Sequence, residues 1–145
     1  RMGIDKIEEF AKACGFGRPT GIDLPHEKSG LVPSRDWKRR RFGRPWTRGE
    51  TYNISIGQGY TLVTPVQVAV FVSALLNGGD LLKPQLLDDA QREIKGRIPA
   101  KPSTLNFVVE AMRKTAAGGT ARVVGRKDAD MGGPLFTAQE HVLTR

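Results

Sequence analysis

Cys14, Asp23 and His26 together could suggest a transition-metal site near the start of the sequence. Cys14 offers a thiolate, Asp23 a carboxylate and His26 an imidazole. They lack the repeated C-x-x-C or H-x-x-x-H spacing that is typical of zinc sites, and Cys14 falls on the apolar face of a predicted helix, where a buried thiol is expected. The sequence therefore predicts no metal site and no cofactor. With His141 as the second histidine, no Ser-His-Asp set can be argued either.

A basic segment, Arg35–Arg48, carries the second chemical signal. The chain has 23 Lys and Arg against 15 Asp and Glu, a net charge of +8, and this segment holds seven of the positive residues and one acid. Three aromatic residues, Trp37, Phe42 and Trp46, are interleaved with the cations. Such a pattern suits an anionic partner: nucleic acid, anionic lipid head groups or an acidic protein face. One hypothesis for function is thus a basic module that binds single-stranded nucleic acid through Arg35–Arg48.

Length and composition are those of one globular domain or of a part of one. The chain has 145 residues, of which 39% are hydrophobic and 26% charged. Its longest apolar run, Val66–Leu76, is well short of the roughly 20 residues needed to span a bilayer. The single cysteine cannot form an internal disulfide.

Three helices are predicted from apolar periodicity and end signals. The first runs from about 5 to 14, with a capping box formed by Asp5 and Glu8. The second runs from Pro65 to about 76, is capped by Thr64 and Gln67, and is apolar on every face, which is typical of a buried helix. The third begins near Ser103 and ends at the glycine pair 118–119.

The other segments are predicted to be loops and short strands. A short strand is expected within Gly21–Pro25, and residues 25–51 are expected to form a long ordered loop with one or two helical turns near Asp36. Residues 121–125 and, more weakly, 136–143 are candidate strands.

Several short segments of the sequence, in consistent order and spacing, resemble one enzyme family. In order, they are Arg1-Met2-Gly3-Ile4-Asp5, Gly21-Ile22-Asp23-Leu24-Pro25, Lys28-Ser29-Gly30-Leu31-Val32-Pro33, Arg35-Asp36-Trp37-Lys38, Ser55-Ile56-Gly57-Gln58-Gly59-Tyr60, Thr64-Pro65-Val66-Gln67-Val68-Ala69, Asn77-Gly78-Gly79 and Gly118-Gly119-Thr120-Ala121. As a set they resemble the transpeptidase domain of class B high-molecular-weight penicillin-binding proteins, above all the elongation-specific group. The resemblance covers about residues 1–133.

This resemblance implies an α+β chain: part of a β-lactamase/transpeptidase-like fold, mostly its helical portion with one or two sheet strands. It also implies a periplasmic enzyme of the cell envelope whose parent is anchored to the inner membrane. Such enzymes acylate a serine with a peptidoglycan stem peptide, release D-Ala and pass the acyl group to a second stem peptide. β-Lactams mimic the donor and trap the serine. The expected partners are stem peptides, β-lactams and the remainder of the transpeptidase domain, and no nucleic acid is then expected.

The three catalytic motifs of the family are absent or altered in this sequence. None of its serines is followed three residues later by Lys, as S-x-x-K requires, and none two residues later by Asn, as S-x-N requires. Lys28-Ser29-Gly30 spells the third motif, K-[ST]-G, but its place in the family pattern makes it a solvated turn. At the expected place the chain reads Gly132-Gly133-Pro134-Leu135-Phe136-Thr137-Ala138-Gln139, so the lysine, hydroxyl and glycine are replaced.

The sequence therefore predicts an incomplete transpeptidase domain over residues 1–145, without the N-terminal half that carries the nucleophile. No catalytic residue is expected in it. Thr137 is the one candidate substrate contact, as a remnant of the K-[ST]-G strand. We expect the chain to be catalytically inactive alone.

Overall fold

The computed structural model describes residues 2–86 and 91–119 as five helices and a two-stranded sheet. In chain order these are α1 (Ile4–Ala13), α2 (Arg35–Phe42), α3 (Arg48–Ser55), α4 (Pro65–Leu76), β1 (Asp80–Leu82), β2 (Ile94–Arg97) and α5 (Pro102–Gly118). The chain divides into two compact units, one of residues 1–74 and 80–99 and one of residues 75–79 and 100–145. No described helix is both long and apolar enough to cross a bilayer. The predicted α+β class, mostly helical with few strands, is confirmed.

Helix α1 has the predicted extent but not the predicted cap. Its N-cap is Gly3 in an extended conformation, and no side chain caps the helix there. The capping box of Asp5 and Glu8 is thus wrong, because the helix starts one residue before Asp5. Both Asp5 carboxylate oxygens instead accept hydrogen bonds from Arg35 Nε, at 2.9 and 3.1 Å. Ile4 and Cys14 are buried.

In the predicted long loop over residues 25–51, the helical turns expected near Asp36 are confirmed by α2, but the prediction of a loop is wrong from residue 48, where α3 begins. In α2, Ser34 Oγ accepts from Trp37 N at 3.0 Å, and Gly43 ends the helix with φ of 66°. In α3, the Glu50 carboxylate accepts from Thr47 N and Thr47 Oγ1, at 2.7 and 2.9 Å. The arginine run hid the apolar periodicity, whereas the capping residues on either side were informative.

Helix α4 begins as predicted, with reciprocal hydrogen bonds between Thr64 and Gln67. Thr64 N donates to Gln67 Oε1 at 3.0 Å, and Gln67 N donates to Thr64 Oγ1 at 3.2 Å. The prediction of burial on every face is wrong for this chain: Gln67 and Ala74 are buried, but Val68 is 42% exposed. The Val68 side chain has too little of this chain around it to be covered.

The sheet is an antiparallel hairpin within the first unit. Asp80 pairs with Arg97 and Leu81 with Gly96, and a register shift follows between Leu81 and Leu82. Sequence analysis missed both strands. The short strand predicted within Gly21–Pro25 is also wrong: those residues form turns and bends, and the nearby extended pairing is a single bridge between Leu31 and Leu62. The candidate strands at 121–125 and 136–143 lie outside the described residues.

Each unit has its own buried residues. In the first, they include Ile4, Cys14, Pro33, Ala74, Leu81 and Ile98. In the second, Leu105 of α5 and Leu75 are buried. Helix α5 starts at Pro102 and its C-cap is Gly119, which agrees with the third predicted helix.

Candidate functional site

The Gln67 side chain holds together three segments of the first unit. Besides capping α4, its Nε2 donates to the backbone oxygens of Arg18 and Ser29, each at 2.8 Å. Beside it, Leu31 N donates to Leu62 O at 2.7 Å, and Leu62 N returns a bond to Leu31 O at 3.0 Å. Gln67 is only 2% exposed, so its hydrogen bonds and the neighbouring Leu31–Leu62 pairing form a buried polar junction. This junction fixes the loop before Leu31.

Lys28-Ser29-Gly30 lies in that fixed loop, as the sequence analysis predicted. Gly30 has φ of 65°, in the left-handed region, and the tripeptide is an irregular loop and not a sheet strand. Ser29 Oγ donates weakly to Gly30 O at 3.3 Å, and Ser29 O is occupied by Gln67. A K-[ST]-G motif binds a carboxylate from an extended strand, and this backbone cannot present Lys28 and Ser29 in that way.

Glu27 fixes the turn that precedes the tripeptide. Its carboxylate accepts from Thr20 N and Thr20 Oγ1, at 2.7 and 2.6 Å, and from Gly21 N at 2.9 Å. Burial by itself would raise the pKa of Glu27, but the hydrogen bonds donated by Thr20, Gly21 and Ile22 outweigh it and lower the pKa below its ordinary value. These contacts are structural, and they leave the Glu27 carboxylate little capacity for a ligand.

The metal-binding residue types at the N-terminal end do not come together. Cys14 is buried, and burial raises the pKa of its thiol to about 11, so the thiolate that a metal needs is scarce at neutral pH. Asp23 and His26 are exposed in the turn region. Within residues 2–86 and 91–119, no three His, Cys, Asp or Glu side chains are grouped so as to hold a metal ion.

Two of the seven cations in Arg35–Arg48 are used to hold the helices. Arg35 pairs with Asp5, and Lys38 pairs with Glu50 through a short contact between Nζ and Oε1. Lys38 is only 6% exposed. Burial alone would raise the pKa of Glu50, but the hydrogen bonds and charge of Lys38, with the Thr47 donors, lower it. The pair therefore ties α2 to α3.

The other five cations of the segment are exposed to solvent. We call them the arginine cluster: Arg39, Arg40, Arg41, Arg44 and Arg48. Beside them, Trp37, Phe42 and Tyr60 pack on one another, with ring centroids 5.2 to 5.6 Å apart. Phe42 remains 47% exposed at the edge of this ring group.

The remaining predicted site residue is Thr137, which lies outside the described residues. The structure therefore gives it no position, and the same holds for Gly132–Gln139 as a whole. What the described residues do provide is a scaffold: capped helices, a fixed loop and one exposed cationic surface. Sequence reasoning missed Glu27 and Glu50 as structural carboxylates, although Thr47 and Glu50 have the spacing of a capping box.

Comparison with known proteins identifies the same family that the sequence motifs resemble. Residues 1–133 match the penicillin binding protein transpeptidase domain. The peptidoglycan D,D-transpeptidase MrdA of Salmonella typhimurium is 43% identical over 102 residues, which cover 70% of this chain and 16% of that protein. The chain thus spans well under two thirds of the length of this relative.

Solved structures show the same likeness. Penicillin-binding protein 2 from Helicobacter pylori superposes with a TM-score of 0.79 at 31% identity, over 87% of this chain and 24% of that one. A complex between penicillin-binding protein 2 and MreC from the same organism gives a TM-score of 0.65 at 34% identity, over 77% of this chain and 20% of that one. Since sequence and fold agree over most of its residues, the chain belongs to the family of penicillin-binding protein transpeptidase domains.

Proposed function

We propose that the chain is a portion of a peptidoglycan D,D-transpeptidase, and that it contributes to cell-wall cross-linking within a longer enzyme. The match of residues 1–133 to the transpeptidase family is the observation that carries the proposal. The reaction is acyl transfer: a serine attacks the peptide carbonyl of a donor stem peptide, D-Ala leaves, and an acceptor amine then takes the acyl group and frees the serine. We place this activity in the periplasm, in a parent anchored to the inner membrane.

In this proposal the 145-residue chain supplies scaffold and not the nucleophile. Two of its serines are held in structural hydrogen bonds: Ser34 caps α2, and Ser55 Oγ donates to Thr51 O at 2.8 Å. Neither has a lysine three residues later. A nucleophilic serine needs a base within hydrogen-bond reach, and the Ser-x-x-Lys spacing that provides one does not occur in this sequence.

Substrate contact is proposed at Thr137, in line with its place in the family pattern. The residues before it, Pro134-Leu135-Phe136, offer no cation and no hydroxyl where the family has Lys and Ser or Thr. We therefore expect any noncovalent affinity of the chain for a stem peptide or a β-lactam to be weak. Stem peptides, β-lactams and the remainder of the transpeptidase domain are the proposed partners of the complete enzyme.

Binding of single-stranded nucleic acid, the other hypothesis from sequence, is not supported by the comparisons with known proteins. Strand binding needs aromatic faces on which bases stack. Here Trp37, Phe42 and Tyr60 pack against one another, and Trp46 Nε1 donates to Thr51 Oγ1 at 2.9 Å. The rings mainly stabilise the segment.

The decisive experiment is labelling with a fluorescent penicillin, read by intact-protein mass spectrometry. The chain is incubated alone and with a separately produced N-terminal half of a related transpeptidase domain that carries S-x-x-K and S-x-N. We expect no adduct on the chain alone, and an adduct on the added half that increases when the two are mixed. The same half with its serine replaced by alanine is the control and should stay unlabelled. An adduct on the chain alone would contradict the proposal.

A further inference from the structure

We propose that the arginine cluster is a docking surface for a bilayer that contains anionic phospholipid. This inference goes beyond acyl transfer, and it stands whether or not the chain belongs to an active enzyme. It rests on the unneutralised charge of the cluster, on the geometry of guanidinium groups and on the exposed ring of Phe42.

The guanidinium groups of the cluster have no carboxylate partner among residues 2–86 and 91–119. Arg35 and Lys38 have carboxylate partners, Asp5 and Glu50. In contrast, none of the five cluster guanidinium groups makes a hydrogen bond or an ion pair with any of the residues the structure describes. Asp36 is the one acid in the segment. Five unpaired charges so close in sequence repel one another, and an anionic surface would relieve that repulsion.

The residue type fits phosphate. All five members are arginine, whose planar guanidinium donates two parallel hydrogen bonds to a phosphate or carboxylate. Lysine would supply the same charge without that geometry. A bilayer of anionic phospholipid presents many phosphates in one plane, and each basic residue near such a surface strengthens binding about fivefold.

The aromatic edge fits the interface between head groups and acyl chains. Phe42 is 47% exposed and lies directly beside the arginines, with the Arg41 guanidinium 5.7 Å from its ring centroid. Aromatic rings next to cations are favoured at this depth of a membrane, where the ring leaves water and the charge stays at the head groups. A protein interface would more commonly deplete charge at its centre.

The surface is also held in place before any ligand arrives. Ser34 and Gly43 cap the two ends of α2, and the buried pair of Lys38 and Glu50 ties α2 to α3. The backbone that carries the arginines on α2 is therefore ordered before binding, so binding costs less conformational entropy than in an unstructured basic tail.

The test is co-sedimentation of the 145-residue chain with two kinds of vesicle. One kind is phosphatidylcholine alone, and the other also contains about 30 mol% phosphatidylglycerol. We expect binding to the anionic vesicles only, with a loss between low and high salt because the contacts are exposed. The variant Arg39→Gln/Arg40→Gln/Arg41→Gln should bind about a hundredfold more weakly, from three charges at about fivefold each.

A matched control removes three charges from elsewhere. Lys28→Gln/Lys101→Gln/Lys114→Gln lowers the net charge by the same amount at exposed positions, and it should weaken binding less than about threefold because these groups lie outside the cluster. Circular dichroism on both variants verifies that the helices persist. The conservative variant Arg39→Lys/Arg40→Lys/Arg41→Lys should retain an intermediate affinity.

Three results would overturn the inference. Equal losses in the two triple variants would show a nonspecific effect of net charge. Equal binding to neutral vesicles would show that apolar exposure, and not the arginines, drives association. Tighter retention on single-stranded oligonucleotide than on anionic vesicles at the same salt would assign the cluster to nucleic acid instead. The vesicle assay has no acylation step, so its failure and that of the proposed function can be told apart.

Discussion

At the scale of single residues, the best-defined part of the chain is the junction around Gln67. One amide side chain caps α4 through Thr64 and holds the carbonyls of Arg18 and Ser29. The cap was predictable, because Thr and Gln three residues apart before an apolar run are a local signal. The other two contacts were not, because their partners are 49 and 38 residues away in sequence.

Gly30 gives the first prediction, since its place beside this junction leaves no room for a side chain. Its φ is 65°, and a Cβ there would lie 2.9 Å from Gln67 Oε1 and closer still to the Leu62 carbonyl oxygen. We expect Gly30→Ala to lower the free energy of unfolding by about 3 kcal/mol, from backbone strain and steric overlap together. Urea denaturation followed by circular dichroism measures this.

Gly43 is the matched control for that prediction. It has nearly the same φ, 66°, but no atom lies within 4 Å of a Cβ built on it. Gly43→Ala should therefore lower the free energy of unfolding by about 1 kcal/mol, from backbone strain alone. If the two variants were equally destabilised, the close approach of Leu62 and Gln67 to Gly30 would not exist in solution.

Glu27 gives a prediction about pH. Its pKa in the folded chain is lowered from 4.5 by hydrogen bonds from Thr20, Gly21 and Ile22, against the opposing effect of burial. A lowered folded pKa means that the ionised group stabilises the fold above pH 4.5, and that this contribution is lost as the pH falls through the folded pKa. Hence Glu27→Gln should lower the thermal midpoint at pH 7, and this difference from wild type should shrink as the pH falls below 4.5 and through the lowered folded pKa.

The control for the pH experiment is Glu9→Gln, at an exposed position of α1 where the carboxylate accepts no hydrogen bond from the described residues. It should leave the thermal midpoint nearly unchanged at both pH values. If the difference in thermal midpoint between wild type and Glu27→Gln stayed constant from pH 7 to pH 3, the carboxylate would not act through its charge.

At the scale of elements, caps and periodicity decided which helices could be predicted. Helices α4 and α5 combine apolar runs with clear ends, so both were predicted within a few residues. Helices α2 and α3 lack such runs and are held instead by Lys38, Glu50 and the ring group of Trp37. Strand β2, Ile94–Arg97, has one large apolar residue among four, and its pairing with β1 is a tertiary contact that no local pattern encodes.

The ion pair of Lys38 and Glu50, which ties α2 to α3, should contribute more to the free energy of unfolding than an exposed ion pair does. Replacing Lys38 with Met would leave the Glu50 carboxylate, whose side chain is 16% exposed, without its cation. We expect Lys38→Met to lower the free energy of unfolding by about 3 kcal/mol. Lys12→Met, which breaks an exposed pair with Glu8, should cost less than about 0.5 kcal/mol. Chemical denaturation of both variants checks this, and similar losses would mean that the Lys38 pair is solvated.

At the scale of the whole molecule, large apolar side chains remain exposed on the first unit. Met2 is 69% exposed and Phe10 46%, and both line an open cavity of about 770 Å³ with Ile7, Phe16 and Phe71. Exposed apolar side chains that line one cavity can mark an interaction site or a tendency to associate. The composition did not predict these exposed apolar side chains, because a hydrophobic content of 39% is ordinary for a domain that buries such residues.

The last prediction concerns the state of the chain in solution. Burial of this apolar surface against another molecule would be favourable by about 25 cal/mol per Å². We therefore expect the isolated chain to self-associate or to melt over a broad range, as seen by analytical ultracentrifugation across a concentration series and by scanning calorimetry. Phe10→Ser/Met2→Ser should shift the distribution towards monomer, whereas Lys6→Ser, on the rim of the same cavity, should not, because it removes no large apolar group. A sharply melting monomer at all concentrations would contradict the prediction and would mean that the first unit is stable with this face exposed to water.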